Sequence, residues 1–405
     1  MDNISENIEF FQQQKKGSAR FKSTGIDISL DKLPLKTPSF QAADLQDQLN
    51  ISANVFKAGL VELEKANGYK YPRKGNNALE LTRSDAIEVA KYFDSDQVEL
   101  LRTQKNSFGV PVILVHDGKG GIGKTTAAIT LATQASFDMK HQPRTLLIDG
   151  DTQGSIRHQL APNYENNTHN ISSLIIANLE LSREERLTPE KQSEFREYLL
   201  ENVIVPTHAD DVSLLPSFSA DKILNIYLAS SLGKGVSKDI VISAYKDIVI
   251  SPLRNDFDLV IVDANPAIDM LLYSFYYASN MLIVPVTGRQ QDVNAYCDYL
   301  ESAAYILETM MPEDCTGFNN VMTLITKNVK TNKKIYNRSL SLKNATRSFS
   351  TVIFESKVYE DSCADNLPIQ LMKHTSRNIK DPLQDAKSLY HEVINIAFAQ
   401  LLEEI

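Results

Sequence analysis

The stretch Val110–Thr126, VPVILVHDGKGGIGKTT, decides the fold class. Val110–Val115 is short, apolar and rich in β-branched residues, as a buried strand requires. Gly118, Gly120, Gly121 and Gly123 follow, and Lys124, Thr125 and Thr126 open an Ala/Leu/Ile-rich helical run. Gly118, Gly123, Lys124 and Thr125 meet the spacing G-x-x-x-x-G-K-[ST] between a strand and a helix. A loop with few Cβ atoms wraps closely around phosphate oxygens, and the free N–H groups of the helix start add partial positive charge. The backbone from Gly118 through Lys119, Gly120, Gly121, Ile122 and Gly123 to Thr126 is therefore expected to cradle a nucleotide. Lys124 reaches its β- and γ-phosphates, and the Thr125 hydroxyl holds Mg²⁺. ATP/ADP and Mg²⁺ are the expected cofactors.

Downstream, apolar runs at Arg144–Asp149, Val212–Pro216, Phe257–Asp263, Asn280–Val286, Val321–Thr326 and Thr351–Phe354 alternate with helical stretches. One of these, Asp292–Met310, is expected to bury Tyr296, Leu300, Tyr305 and Leu307 on one face. Such alternation predicts an α/β fold, a mostly parallel twisted sheet with helices on both faces, of the P-loop NTPase kind. Strand tips then carry the chemistry. RTLLIDGDTQGS (144–155) puts Asp149 and Asp151 at the end of the second strand, and FDLVIVDANP (257–266) ends the central strand at Asp263. Asp263 stands where a Walker-B acid binds Mg²⁺, Asp149 in the outer shell of the metal, and Asp151 where it would orient the attacking water.

The region before the loop reads as two parts. Residues 1–37 form an N-terminal helix and linker, with Ile4, Ile8 and Phe11 at helical spacing. That face either covers the domain or meets a second copy as a dimerisation arm. In 38–105, Ser39 is expected to cap a helix carrying Phe40, Ala43, Leu45 and Leu49. After a turn at Asn50–Ser52, Ser52 caps a second helix, Ala53–Lys65. Extended runs then flank a basic turn at Arg73–Asn77, and Ser84 opens a further helix; Asp94–Ser107 reads as a connection. Helix-turn-helix followed by a hairpin resembles a winged DNA-binding domain such as the reading heads of MerR-type regulators. Ser52, Asn54 and Lys57 would lie nearest base edges, and Lys70, Arg73 and Lys74 would meet phosphates.

Composition narrows the alternatives. The formal net charge of −9 over 405 residues excludes a uniformly basic nucleic-acid coat, so DNA contacts must be local. Three scattered cysteines, Cys297, Cys315 and Cys363, suggest neither a zinc site nor a disulfide framework. A polar start and the lack of long apolar runs point to a cytoplasmic protein without membrane contact.

The loop KGGIGKTT (119–126) carries an extra lysine, Lys119, at its start, which is the deviant Walker A pattern. With DGDTQG, FDLVIVDANP and LIVPV, the chain from about Pro111 onward resembles the ParA family of chromosome and plasmid partition ATPases. The winged segment in front resembles the long, autoregulatory class, with 106–405 as the ATPase domain. Thr152 replaces the proline of the usual D-x-D-P-Q.

The resemblance implies a slow, Mg-dependent ATPase acting as an ATP-loaded homodimer, in which Lys119 crosses to the partner's phosphates and assists catalysis. It also implies nonspecific nucleoid DNA binding, operator binding, and stimulation by a ParB-type centromere-binding partner. The acid-free window Lys327–Arg347, with Lys330, Lys333, Lys334 and Arg338, is the expected nucleoid-DNA surface, joined by Lys373, His374, Arg377 and Lys380. Thr326 is expected near the adenine. The alternative is a nucleotide-sensing transcriptional repressor without a segregation role. A membrane-surface relative of the MinD type would need a basic amphipathic end, whereas this chain ends FAQLLEEI. Iron–sulfur relatives need a cysteine pair that this sequence lacks.

Overall fold

Seven strands form one sheet in the order β3-β4-β2-β5-β1-β6-β7. They are β1 Val112–Val115, β2 Thr145–Gly150, β3 Val205–Pro206, β4 Val212–Leu215, β5 Leu259–Ala264, β6 Met281–Val286 and β7 Asn320–Ile325. Every pairing is parallel except β3 with β4. This computed structural model describes residues 38–399 apart from 76, 95–96, 163, 165–169 and 373–378. The expectations for residues 1–37 and for Lys373, His374 and Arg377 lie outside the described residues.

Strands β1, β2, β5 and β6 are buried along their whole length. Their nearly unbroken apolar sequences follow from helices covering both faces. Register places Asp149 of β2 beside Asp263 of β5, and Val115 of β1 on the other side of Asp263. The carboxyl ends of the three central strands therefore meet at one edge, where an open α/β sheet binds its ligands. Gly150 is required there by close approach. A Cβ on it would stand 2.7 Å from the Phe275 ring and 2.8 Å from the Asp263 carbonyl oxygen.

Thr351–Phe354, expected as a strand, makes only the isolated bridge between Asn328 and Phe354. The Glu392 carboxylate takes the Thr351 amide at 2.8 Å, between the Phe349 and Ile353 amides that donate to β7 carbonyls. The helix expected at Asp292–Met310 runs Gln290–Thr309, and its buried face is Tyr296, Tyr299, Ala303 and Ile306. Tyr305 falls off that 3-4-3 spacing and is 65 % exposed. The expected connection Asp94–Ser107 contains a helix, Gln97–Phe108.

The N-terminal described residues build a small module. Helix Ala42–Leu49 is capped by Gln41 rather than Ser39, because Phe40 is occupied in an antiparallel bridge to Leu81. A left-handed Asn50 turns the chain, and the Ser52 hydroxyl accepts from the Val55 amide to start helix Ala53–Asn67. A bridge between Arg73 and Leu79 closes a short hairpin, and Thr82 caps helix Arg83–Phe93. Phe40, Leu45, Phe56, Leu60, Tyr71, Leu81 and Val89 pack into its core together with Met139, which comes from beyond helix Lys124–Ala135. Gln48 locks this junction, donating to the Phe137 carbonyl at 3.1 Å and accepting from the Met139 amide at 2.7 Å.

Gly150→Ala should destabilise the protein by about 1–3 kcal/mol, because neither Phe275 nor the β5 backbone can yield in a packed core. Urea unfolding measures it, and an unchanged midpoint would contradict the close approach at Gly150.

Candidate functional site

Between β1 and helix Lys124–Ala135, side chains hold three carbonyls of the glycine loop. The Lys119 carbonyl accepts from Lys124 Nζ at 2.5 Å, the Gly121 carbonyl from Lys327 Nζ at 2.7 Å, and the Ile122 carbonyl from the Thr326 hydroxyl at 2.6 Å. Lys124 and Lys327 also line the space that the loop encloses, so both ammonium groups face it. Gly123, at φ +100°, makes the left-handed turn into the helix, a conformation that disfavours any side chain. Gly120, Gly121, Gly123, Lys124, Thr125, Thr126, Asp151, Ala264 and Lys327 line a cradle of about 220 Å³.

Of the expected acids, Asp151 lines it, Asp263 lies behind it near Thr125 and Lys124, and Asp149 stands beside Asp263 on β2. Asp263 is fully buried, and neither of its carboxylate oxygens has a well-formed hydrogen bond. Burial pushes its pKa up to about 7, opposed by the nearby Thr125 hydroxyl and Lys124 ammonium and reinforced by Asp151. Asp149 lies well above the usual carboxylate range through burial and repulsion from Asp263. Its Oδ1 accepts from the Asp151 amide at 3.1 Å, while its Oδ2 is orphaned. Lys124 is nearly buried, and desolvation lowers its pKa against the pull of Asp117, Asp263 and Asp151.

Three unpartnered carboxylate oxygens beside a threonine hydroxyl suit a hard divalent cation. Among the described residues no group of three or more His, Cys, Asp or Glu side chains is placed to cage a metal unaided.

Lys119 is paired within its own chain. Its ammonium contacts Asp292, which also accepts from the Thr287 hydroxyl. Burial alone would raise Asp292, but these two donors outweigh it and hold the carboxyl below its usual range. Asp117, whose Oδ1 accepts from the Lys119 amide at 2.7 Å, is pushed up to about 6 by burial. Next to it, His116 is driven down to about 3 by burial and by Lys124, so it is neutral at physiological pH.

A second cavity of about 380 Å³ adjoins the cradle and shares Gly123, Thr126 and Lys327 with it. Thr326, Phe354 and Tyr359 line its walls, and the Tyr359 hydroxyl has no hydrogen-bond partner. Of the residues around these two cavities, the sequence expectation names Thr326 but not Asp117, Thr287, Asp292, Lys327, Phe354 or Tyr359 as site residues. Only Asp117, two residues before Lys119, was open to local reading.

The expected DNA contacts lie elsewhere, on two separate groups. Ser52, Asn54, Lys57 and Lys70 are exposed on the N-terminal module. Arg73 instead pairs with Glu64 at 2.9 Å and Lys74 with Glu80 at 2.7 Å, so the hairpin cations are engaged within the module. Lys333 and Lys334 are exposed in the first turn of helix Lys333–Ala345, where cations oppose the helix dipole. Lys330 lies 4.2 Å above the Phe354 ring, and Arg338 donates to the Gly288 carbonyl at 2.9 Å.

A family model described as an AAA domain matches residues 110–312. Plasmid partition protein A of Escherichia coli is 25% identical over 211 residues, which is 50% of this chain and 49% of that one. The chain thus spans about half the length of this curated relative. Among solved structures, one described as a partition protein aligns with TM-score 0.61 at 18% identity, covering 95% of this chain and 98% of its own. A variant of Cyanothece McdA in complex with ATP aligns with TM-score 0.51 at 18% identity, covering 72% and 96%. At these identities the two structures speak to the fold alone.

The raised pKa of Asp263 has a signed consequence. The native state holds its proton up to about pH 7, whereas the unfolded chain releases it near 3.8. Stability in the absence of Mg²⁺ therefore falls as pH rises through that window. Between pH 5 and 8 the wild type should lose roughly 2–3 kcal/mol more than Asp263→Asn. Parallel curves in chelator-treated denaturation experiments would exclude this assignment.

Proposed function

Since the chain belongs to the AAA-domain family and is of the ParA type, we propose that it is a Mg-dependent DNA-partition ATPase. The observation that carries the chemistry is the glycine loop, lined by Lys124 and Lys327, beside the buried, unpartnered carboxylates of Asp149 and Asp263. The base of ATP occupies the cavity beside Thr326 and its phosphates the cradle. Lys124 neutralises the β- and γ-phosphates, and Thr125 with Asp263 holds Mg²⁺, backed by Asp149. Mg²⁺ held there would supply positive charge against the charge that develops on the phosphate oxygens. Asp151, which lines the cradle, orients the water that attacks the γ-phosphorus. The bond to the β–γ bridging oxygen breaks, giving ADP and phosphate.

Lys119 leaves Asp292 and crosses to the nucleotide of a second copy, so that ATP loading drives dimerisation. A cation supplied in trans contributes about 10³–10⁵ in rate to related phosphoryl transfers. The loaded dimer binds nucleoid DNA without sequence preference through Lys330, Lys333 and Lys334, with Arg338 bracing the surface. A ParB-type centromere-binding partner stimulates hydrolysis and releases the DNA. Residues 38–105 act as a winged reading head on the chain's own operator, and 106–405 as the ATPase domain. Met139 and Gln48, which lock that head to the end of the phosphate-loop helix, support coupling between nucleotide state and operator binding. The protein works in the cytoplasm, on the nucleoid.

Retention of random duplex DNA should require ATP and fail with ADP or without nucleotide; equal retention in all three would refute the partition reading. Lys119→Ala should bind nucleotide as a monomer yet form no ATP-dependent dimer by light scattering, and normal dimers would exclude a trans role. Replacing Lys330, Lys333 and Lys334 together by alanine should flatten the log–log salt dependence of DNA binding by about 2–3. An unaltered slope would place the DNA surface elsewhere.

A further inference from the structure

We propose that Lys327 binds the α-phosphate of the nucleotide, exchanging the Gly121 carbonyl for a phosphate oxygen. The proposal rests on the nucleotide reading of the two cavities. The cradle and the neighbouring cavity share three residues, Gly123, Thr126 and Lys327, and of these only Lys327 carries a charge. A nucleotide with its base in the larger cavity and its terminal phosphates in the cradle must pass its α-phosphate through that seam. The Lys327 ammonium already stands at the seam, 2.7 Å from the Gly121 carbonyl of the phosphate loop.

The backbone aims it there. Lys327 adopts φ +47°, a left-handed conformation that L side chains rarely take. On its two sides, the Thr326 amide donates to the Val286 carbonyl at 2.9 Å and the Asn328 amide to the Ile353 carbonyl at 3.0 Å. These bonds hold the turn between the end of β7 and the segment that walls the larger cavity. A carbonyl oxygen is a neutral acceptor, and a phosphate oxygen is a charged one that makes the stronger hydrogen bond. The exchange is therefore favourable once a nucleotide is present. Because every adenine nucleotide carries an α-phosphate, the contact discriminates neither for nor against the γ-phosphate. Lys327 thus differs from Lys119, whose role depends on ATP.

The test compares the affinities of ADP and ATP for the full chain and for Lys327→Met, Lys327→Gly and Lys327→Arg by calorimetry, with melting temperature measured without nucleotide. Glycine relieves the left-handed backbone while removing the ammonium, so a loss of affinity in that variant cannot come from backbone strain. The Met and Gly variants should bind ADP and ATP about tenfold more weakly, by the same factor for both. The Arg variant should keep most of the affinity, and the Gly variant should melt no lower than the wild type. Unchanged affinity in the Met and Gly variants overturns the proposal. So does a loss confined to ATP, which moves the contact to the γ-phosphate. A loss that appears only alongside lowered nucleotide-free melting in every variant also overturns it, reducing Lys327 to a strap on the loop. If the wild type itself binds neither nucleotide, the nucleotide reading falls and this assignment with it.

Discussion

Two carboxylates side by side at the edge of a buried parallel sheet repel each other, and water cannot screen them. Asp149 and Asp263 are held in that position by the register of β2 on β5, and their surroundings answer to the constraint. Gly150 has no side chain because the next strand and Phe275 leave no room. Lys124 is buried near Asp263 although burial opposes its own charge. Such an arrangement is costly in the empty protein and becomes favourable when a cation and a polyphosphate enter together.

What could be read from the sequence follows the range of the interactions. The strand, glycine loop and helix at Val110–Ser136 are contiguous, so their chemistry was legible. Asp149 and Asp263 were legible because each ends an apolar run of strand length, and parallel topology brings such ends together. The pairing of Lys119 with Asp292 joins residues 173 apart, and that of Lys327 with Gly121 joins residues 206 apart. No local pattern announces either. Thr351–Phe354 shows the converse failure: its composition suits a strand, but a glutamate from the C-terminal helix claims the Thr351 amide and only Ile353 reaches β7.

The N-terminal module teaches a similar lesson about charge. Counting lysines and arginines in its hairpin suggested a basic tip, yet Glu64 and Glu80 stand against Arg73 and Lys74. The partners lie on the preceding helix and on the opposite arm of the hairpin, beyond a window that counts neighbours. The Lys74–Glu80 pair is largely in solvent, where ion pairs are weak, so Lys74 remains exchangeable onto a stronger anion. Lys333 and Lys334 are placed the other way, against a helix dipole that makes their position mildly unfavourable.

The segment that failed to become a strand has a use at the rim of the sheet. Strand β7 is an edge, and its outer groups are taken by this passing chain: Thr323 donates to the Arg347 carbonyl and accepts from the Phe349 amide, and the Ile325 carbonyl accepts from Ile353. At the opposite rim β3 is two residues long and ends in Pro206, which has no N–H to offer. Open sheet edges invite uncontrolled strand addition between copies. Here one margin is covered and the other is too short to template pairing, so a crowded population of these chains is protected from zipping together through its sheets.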